Sequence, residues 1–439
     1  MTSPPIRVSS PASGTTLAAG TSAKGGTSSF RLDVIDGYRA IAAIAVVIYH
    51  VARGGPLAEQ EGDSASFVRP EQLGAHLIDN FGNYGVAVFF LLSGFVIFRP
   101  FAQASIEGEQ RPAIASYLIR RALRIFPAYW IALVGWSLIS DADQRVGGSN
   151  VGKLLLVDTY DPNVVFLVGL AVSWTLTIEI AFYLFVPLYA IVVARIATLG
   201  RESDRSHRLK VHLVGLTLLY TSAYAYRITL DHWSGASRNM TLWLPNFLDW
   251  FALGMLLAVL SVWVKGGGSL PTAVADFARR TSACLACAAL CFAMVVVLKG
   301  DQLGFRRSET FGQMSWRTLF QGFSAFFLIL PAILGNPDQT MMHTLRRPTM
   351  VFLGSISYGI YLWHTLVLQW YEQLIDNDPA WLKLVVVGAA VLCVTIPIAT
   401  VSYYLVERPI LGLYRPQGNV QRQRSGSRTG KRRRGSSIG

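Results

Sequence analysis

Apolar runs long enough to cross a bilayer recur along the chain, about ten of them, centred near residues 44, 91, 130, 187, 220, 252, 290, 326, 360 and 395. A segment surrounded by lipid must satisfy its own backbone hydrogen bonds, so runs of this length are helices. The predicted fold is an all-α polytopic membrane protein, a bundle of about ten transmembrane helices. Composition agrees: of 439 residues, 52% are hydrophobic and 15% charged, a balance outside that of soluble domains. An even number of spans puts both termini on one side. With the N-terminus inside, the inner segments (99–124, 195–210, 265–280, 346–347 and the tail) hold most of the Lys and Arg, in keeping with the positive-inside rule. The expected location is a plasma (bacterial inner) membrane, multi-pass, with both termini cytosolic. Lys299, Arg306, Arg307 and Arg317 are the exception, clustering in an outer segment.

Residues 1–30 are rich in Ser, Thr, Gly, Ala and Pro without an apolar core, and are expected to be a disordered cytosolic arm rather than a signal peptide. The membrane domain follows over 31–412, and 413–439 is expected to be a disordered basic cytosolic tail. Arg415, Arg422, Arg424, Arg428, Lys431, Arg432, Arg433 and Arg434 crowd that tail and contribute much of the net charge of +13. Such a tail attracts anionic membrane lipids. No stacking aromatics interleave its charges, so nucleic acid is not an expected partner. Cys284, Cys287 and Cys291 at helical spacing, with Cys393 apart, are read as small buried residues, and no metal site is expected.

Ionisable residues inside apolar spans are costly and point to function. In RAIAAIAVVIYH, Arg39 and His50 end an apolar stretch on one helix face, roughly 16 Å apart along the axis. Asp36 shares that face, one turn from Arg39, where an ion pair is at least as good a reading as substrate contact. The third span opens with SYLIRRALRIFPAYW. There Arg121 and Arg124 lie one turn apart and can grip one anion, although an isolated Arg-x-x-Arg more often marks a membrane boundary. Glu179, in VSWTLTIEIAFYLF, enters the fourth span near its outer end. Glu407 and Arg408 are read as a boundary anchor of the last span.

LDVIDGYRAIAAIAVVIYH, NYGVAVFFLLSGFVI, IRRALRIFPAYW, SWTLTIE, LGSISYGIYLWH and LVERP, in that order, resemble the membrane acyltransferase-3 family over roughly residues 31 to 412. The resemblance implies transfer of an acyl group from cytosolic acyl-coenzyme A to a hydroxyl on an envelope glycan, a glycolipid or a macrolide-like acceptor, with acetyl the commonest donor group. The family's arginine and histidine of the first span fall on Arg39 and His50, its Arg-x-x-Arg on Arg121 and Arg124, and its Trp-(Ser/Thr)-Leu-x-x-Glu on Trp174 to Glu179. Ala87 departs from the pattern, standing where many members carry Asp.

Acyl transfer needs a base for the acceptor hydroxyl and stabilisation of the thioester oxyanion. His50 is the expected base, with attack by its own imidazole as the variant, and Glu179 is expected to orient it or to bind the acceptor. Arg39, Arg121 and Arg124 are expected to hold donor phosphates, the last two at the cytosolic rim. Asp36, Ser93, Trp174 and His364 are candidate substrate contacts. The competing class is a proton-coupled transporter or flippase of an envelope lipid or precursor, since intramembrane Asp, Arg, His and Glu would mark a proton path equally well.

Overall fold

A computed structural model describes residues 23–54, 73–139, 150–161, 170, 172–199, 204–298, 311–372 and 380–414. The regular structure among them is helical throughout. In chain order the α-helices are α1 (Ala23–Gly54), α2 (Leu73–Glu107), α3 (Ile114–Ile139), the short α4 (Asn150–Leu155), α5 (Ser173–Thr198), α6 (Arg205–His232) and α7 (Leu248–Lys265). They continue with α8 (Thr272–Arg279), α9 (Thr281–Leu298), α10 (Phe311–Leu334), α11 (Thr340–Leu345), α12 (Pro348–Ser355), α13 (Ser357–Glu372), α14 (Ala380–Ser402) and, after a π-helical turn at Tyr403–Glu407, α15 (Arg408–Leu413). Because α1 starts at Ala23, it takes in the end of the stretch expected to be an arm. Residues 1–22, the tail arginines and most of the outer basic segment lie outside the described residues.

Among the described residues, seven helices are long and apolar enough to cross a membrane, or nine if each of two bent pairs, α8–α9 (85°) and α12–α13 (66°), is one span. The expected count of about ten is not reached because α6, the run near residue 220, is too polar on average. It carries His212 and Arg227 in its length, yet both are buried, at 1% and 2% exposure. Its exposed face between Lys210 and Asp231 bears no charge: Val214, Leu218 and Ile228 lie there. The hydroxyls of Thr217, Thr221 and Thr229 donate back to the carbonyls of Leu213, Thr217 and Ala225.

The bundle is organised around α2 and α7, which bury 72% and 78% of their most apolar windows, whereas α3 and α14 bury 28% and 22% and face outward. Helices in lipid gain little from hydrophobic exclusion, so close backbone approach and packing hold them together. Gly254 lies against the Leu91 carbonyl and Gly94 against the Phe251 carbonyl, so that a Cβ at either position would overlap the facing backbone. The ring of Phe251 stacks on Phe182 of α5 (3.9 Å) and on Phe90 of α2 (4.8 Å). The other side of α2 packs on α1, and together these helices present the polar positions of α1, α2, α3 and α5 to a common interior.

Candidate active site

A cavity of about 280 Å³ opens between these helices. α1 contributes Asp36 and Arg39, α2 Ser93, α3 Arg121 and Arg124, α5 Thr175, Glu179 and Tyr183, and α13 Ser357, Tyr358 and Tyr361. Residues nearly 150 positions apart in sequence thus meet as three guanidinium groups facing two carboxylates. Arg39 and Arg124 are close enough to repel, with Asp36 and Glu179 as counter-charges of Arg39. Arg39 and Asp36 stand 3.7 Å apart, a loose contact, and their side chains are 23% and 31% exposed, facing the cavity.

The carboxylate of Glu179 is held more firmly. Tyr183, one turn on, donates to its Oε1 at 2.6 Å, and Ser93 donates to the same oxygen at 3.2 Å. The guanidinium of Arg121 lies over the rings of Tyr117 (5.9 Å) and Tyr183 (5.5 Å), and Tyr117 in turn donates to the Tyr183 carbonyl at 3.2 Å. These contacts fix the planar fork of Arg121, which is what paired recognition of an anion requires. Arg121 and Arg124 lie roughly 10 and 15 Å along α3 from its first residue, Ile114. Arg120 is the residue of that run that faces outward.

His50 is not among the cavity-lining residues, and Glu179 does not orient it among the contacts described. Its Nδ1 lies 3.0 Å from the Val46 carbonyl and 3.1 Å from Nε2 of His364. The route between the two centres runs through one ring: Tyr361 lines the cavity and packs on His364 at 5.9 Å. The Tyr361 hydroxyl is 2.6 Å from Oγ1 of Thr175 and donates to the Val172 carbonyl at 3.2 Å, pinning α13 against the start of α5. Trp174 points elsewhere, packing its ring on Phe247 at 5.8 Å outside the cavity.

Sequence reasoning missed two classes of residue. Tyr183, Tyr358 and Tyr361 complete the lining; the first was findable, since it follows Glu179 by four residues and so shares its helix face. The second is Glu407. Expected at a membrane boundary, it is 4% exposed and lies within electrostatic reach of Arg124 and Arg39. The π-helical turn at Tyr403–Glu407 carries the explanation, because one such turn shifts the register of the side chains that follow. It leaves Glu407 inward and Arg408 outward, over the Tyr404 ring at 5.3 Å.

Comparison with known proteins places this geometry in a lineage. The chain is 26% identical over 411 residues to acyltransferase MdmB of Streptomyces mycarofaciens, covering 88% of this chain and 94% of that protein. It is 25% identical over 365 residues to nodulation protein 10 of Rhizobium leguminosarum bv. viciae, covering 75% and 82%. A Bacillus subtilis (strain 168) protein named "Putative peptidoglycan O-acetyltransferase YrhL" is 24% identical over 399 residues, covering 86% of this chain and 54% of that protein. No solved structure matches. The acyltransferase-3 family, described as an acyltransferase domain, matches residues 32–403, a stretch that takes in every lining residue of the cavity together with His50 and His364, and the chain belongs to that family as a multi-pass membrane acyltransferase.

Proposed function

We propose that the protein moves an acyl group, acetyl in the first instance, from cytosolic acyl-coenzyme A to a hydroxyl of an extracytoplasmic acceptor: an envelope carbohydrate, a glycolipid or a macrolide-like molecule. The observation that carries this reading is the convergence of Arg39, Arg121 and Arg124 on one cavity inside a helical membrane domain. Three guanidinium groups line the cavity against the carboxylates of Asp36 and Glu179, with Glu407 behind them, and an anionic donor arriving from the cytosol would compete with these carboxylates for the same cations. At about 280 Å³ the cavity is at the small end for organic ligands and suits an acylated pantetheine arm with one phosphate, leaving the nucleotide toward the cytosol. The carbohydrate acceptor class is supported by the name of the Bacillus relative, which cites peptidoglycan.

In the proposed reaction His50 takes the proton of the acceptor hydroxyl as its oxygen attacks the thioester carbonyl. The carbon–sulfur bond breaks, coenzyme A leaves as the thiol after protonation, and the acceptor leaves as an ester. Arg39 lies toward the inner end of α1 and His50 toward the outer end, so the donor reaches across the bilayer while its charged head stays inside. We take α6 as a tenth crossing, since its lipid-facing side is uncharged over about 30 Å; an even count puts both termini on one side, and the positive-inside bias supports the cytosol as that side. The test is His50→Ala in membranes supplied with radiolabelled acetyl-coenzyme A. Label transfer to membrane material is expected to vanish while the protein stays inserted and folded; near-normal transfer would refute the assignment of the base.

A further inference from the structure

The contacts of His50 and His364 determine where their protons sit. A ring nitrogen facing a carbonyl oxygen must carry the hydrogen, because the oxygen can only accept. His364 Nδ1 is 3.1 Å from the Ile360 carbonyl and therefore carries the proton, which leaves Nε2 bare in the neutral ring. That bare Nε2 is 3.1 Å from His50 Nδ1, and the Val46 carbonyl is 3.0 Å from the same Nδ1. Two acceptors converge on one nitrogen, so the hydrogen belongs to His50 Nδ1. A neutral His50 then has its lone pair on Nε2.

We infer that His364 is the positioning residue of the acyl-transfer base, an inference that rests on the reading of His50 given above. His364 accepts from His50 Nδ1–H, holds the tautomer in which Nε2 can remove a proton, and goes on accepting once Nε2 has taken that proton from the substrate hydroxyl. An orienting acceptor behind an imidazole is the usual requirement for a histidine base, and here a second, neutral imidazole fills the place that a carboxylate takes in serine hydrolases. The Val46 carbonyl alone is a poorer orienter, because in an α-helix it already accepts the backbone N–H of residue 50. His364 is fully buried, with its ring at 4.9 Å from that of His50, and Tyr49 stands edge-on to His50 at 5.0 Å, so neither imidazole is free to turn. Its place on α13 gives the arrangement a further consequence. Tyr361 of the cavity wall lies one turn before it, and one rigid helix therefore sets both the wall of the donor cavity and the orientation of the base.

The experiment compares His50→Ala, His364→Phe and His364→Gln in full-length protein, in native-membrane vesicles supplied with radiolabelled acetyl-coenzyme A, alongside imidazole ¹⁵N NMR of histidine-labelled protein with His50 assigned by its substitution. His364→Phe is expected to lower kcat roughly tenfold or more with donor KM unchanged, the pattern of a lost partner behind a reacting group. His364→Gln, whose side-chain carbonyl can accept from Nδ1–H, is expected to recover most of that loss. The wild-type spectrum is expected to show His50 with protonated Nδ1 and bare Nε2, and decides alone if His364→Phe does not accumulate. Wild-type kcat in His364→Phe, equal losses in folded Phe and Gln variants, or a protonated Nε2 in neutral His50 would overturn the positioning role while an inactive His50→Ala still upheld the base. An active His50→Ala would instead remove the base reading itself.

Discussion

Two Arg–Asp ion pairs in this bundle, one buried and one on the cavity wall, are built to opposite ends. Arg227 and Asp249 join α6 to α7 at 2.8 Å, each 1% exposed. Arg227 also donates through Nε to Asn246 Oδ1 at 3.0 Å and through Nη2 to the Asn246 carbonyl, and lies over the Tyr224 ring at 4.9 Å. Asp249 accepts from the Trp250 N–H at 3.0 Å. Apart from Nη1 of Arg227, these groups have protein partners. Arg39 and Asp36 sit 3.7 Å apart on the cavity wall with a second cation, Arg124, nearby. A pair buried on both sides and bonded through all but one of its groups is a fastener, because it opens on no cavity from which a ligand could reach it. A loose one beside a cavity is a site.

The sharpest way to break this comparison is to remove one arginine from each pair. Arg227→Ala strands the Asp249 carboxylate without compensation and is expected to cost about 3–5 kcal/mol of stability. Arg39→Ala, whose partner is loosely held and faces the cavity, is expected to cost within about 1 kcal/mol while abolishing saturable donor binding. Unfolding in detergent by denaturant titration, with acetyl-coenzyme A binding on the same samples, separates the two. Equal stability losses would erase the distinction between fastener and site.

A second substitution sharpens the cavity half. Arg121→Ala with Arg124→Ala is expected to raise donor KM on the order of a hundredfold, since two charge-assisted contacts to phosphate are lost together. Lysine at both positions is expected to restore only part of this. An ammonium keeps the charge but lacks the fork, and Arg121 would also lose its planar contact with Tyr117 and Tyr183. Full activity of the double-lysine protein would mean that these residues only fix topology.

The two halves of the comparison were not equally legible in the sequence. Arg39, Arg121, Arg124 and Glu179 could be read because each interrupts an apolar span, and a charge in such a place demands a reason. That they share one cavity was not readable, since it depends on which helices pack around α2. The partner of His50 was hidden for the same reason. His50 and His364 are 314 positions apart, and Glu179 was an equally reasonable guess from depth alone. Helix α6, read as a span from its apolar run, is rejected by averaged hydropathy alone. Averaged hydropathy counts Arg227 and His212 as though they faced lipid, whereas the fold turns both inward and leaves hydroxyls bonded to their own helix on the outside. Local composition reports how polar a helix is, and only packing decides which side its polar groups take.

The smallest expected effect belongs to Glu407, and its sign is the informative part. This carboxylate is buried, with Oε1 lacking a hydrogen-bond partner among the described residues, and it lies within electrostatic reach of Arg124 and Arg39. It therefore competes with a bound phosphate for the same cations. Glu407→Gln keeps the shape of the side chain and removes the competing charge, so donor KM is expected to fall a few-fold, about 1 kcal/mol or less at the effective dielectric of such sites, with kcat near wild type. A boundary anchor predicts no change in KM, because nothing at a membrane edge senses the donor. A rise in KM would show that Glu407 holds the arginines in place instead of opposing the phosphate, which would move it from the open half of the comparison to the fastened one.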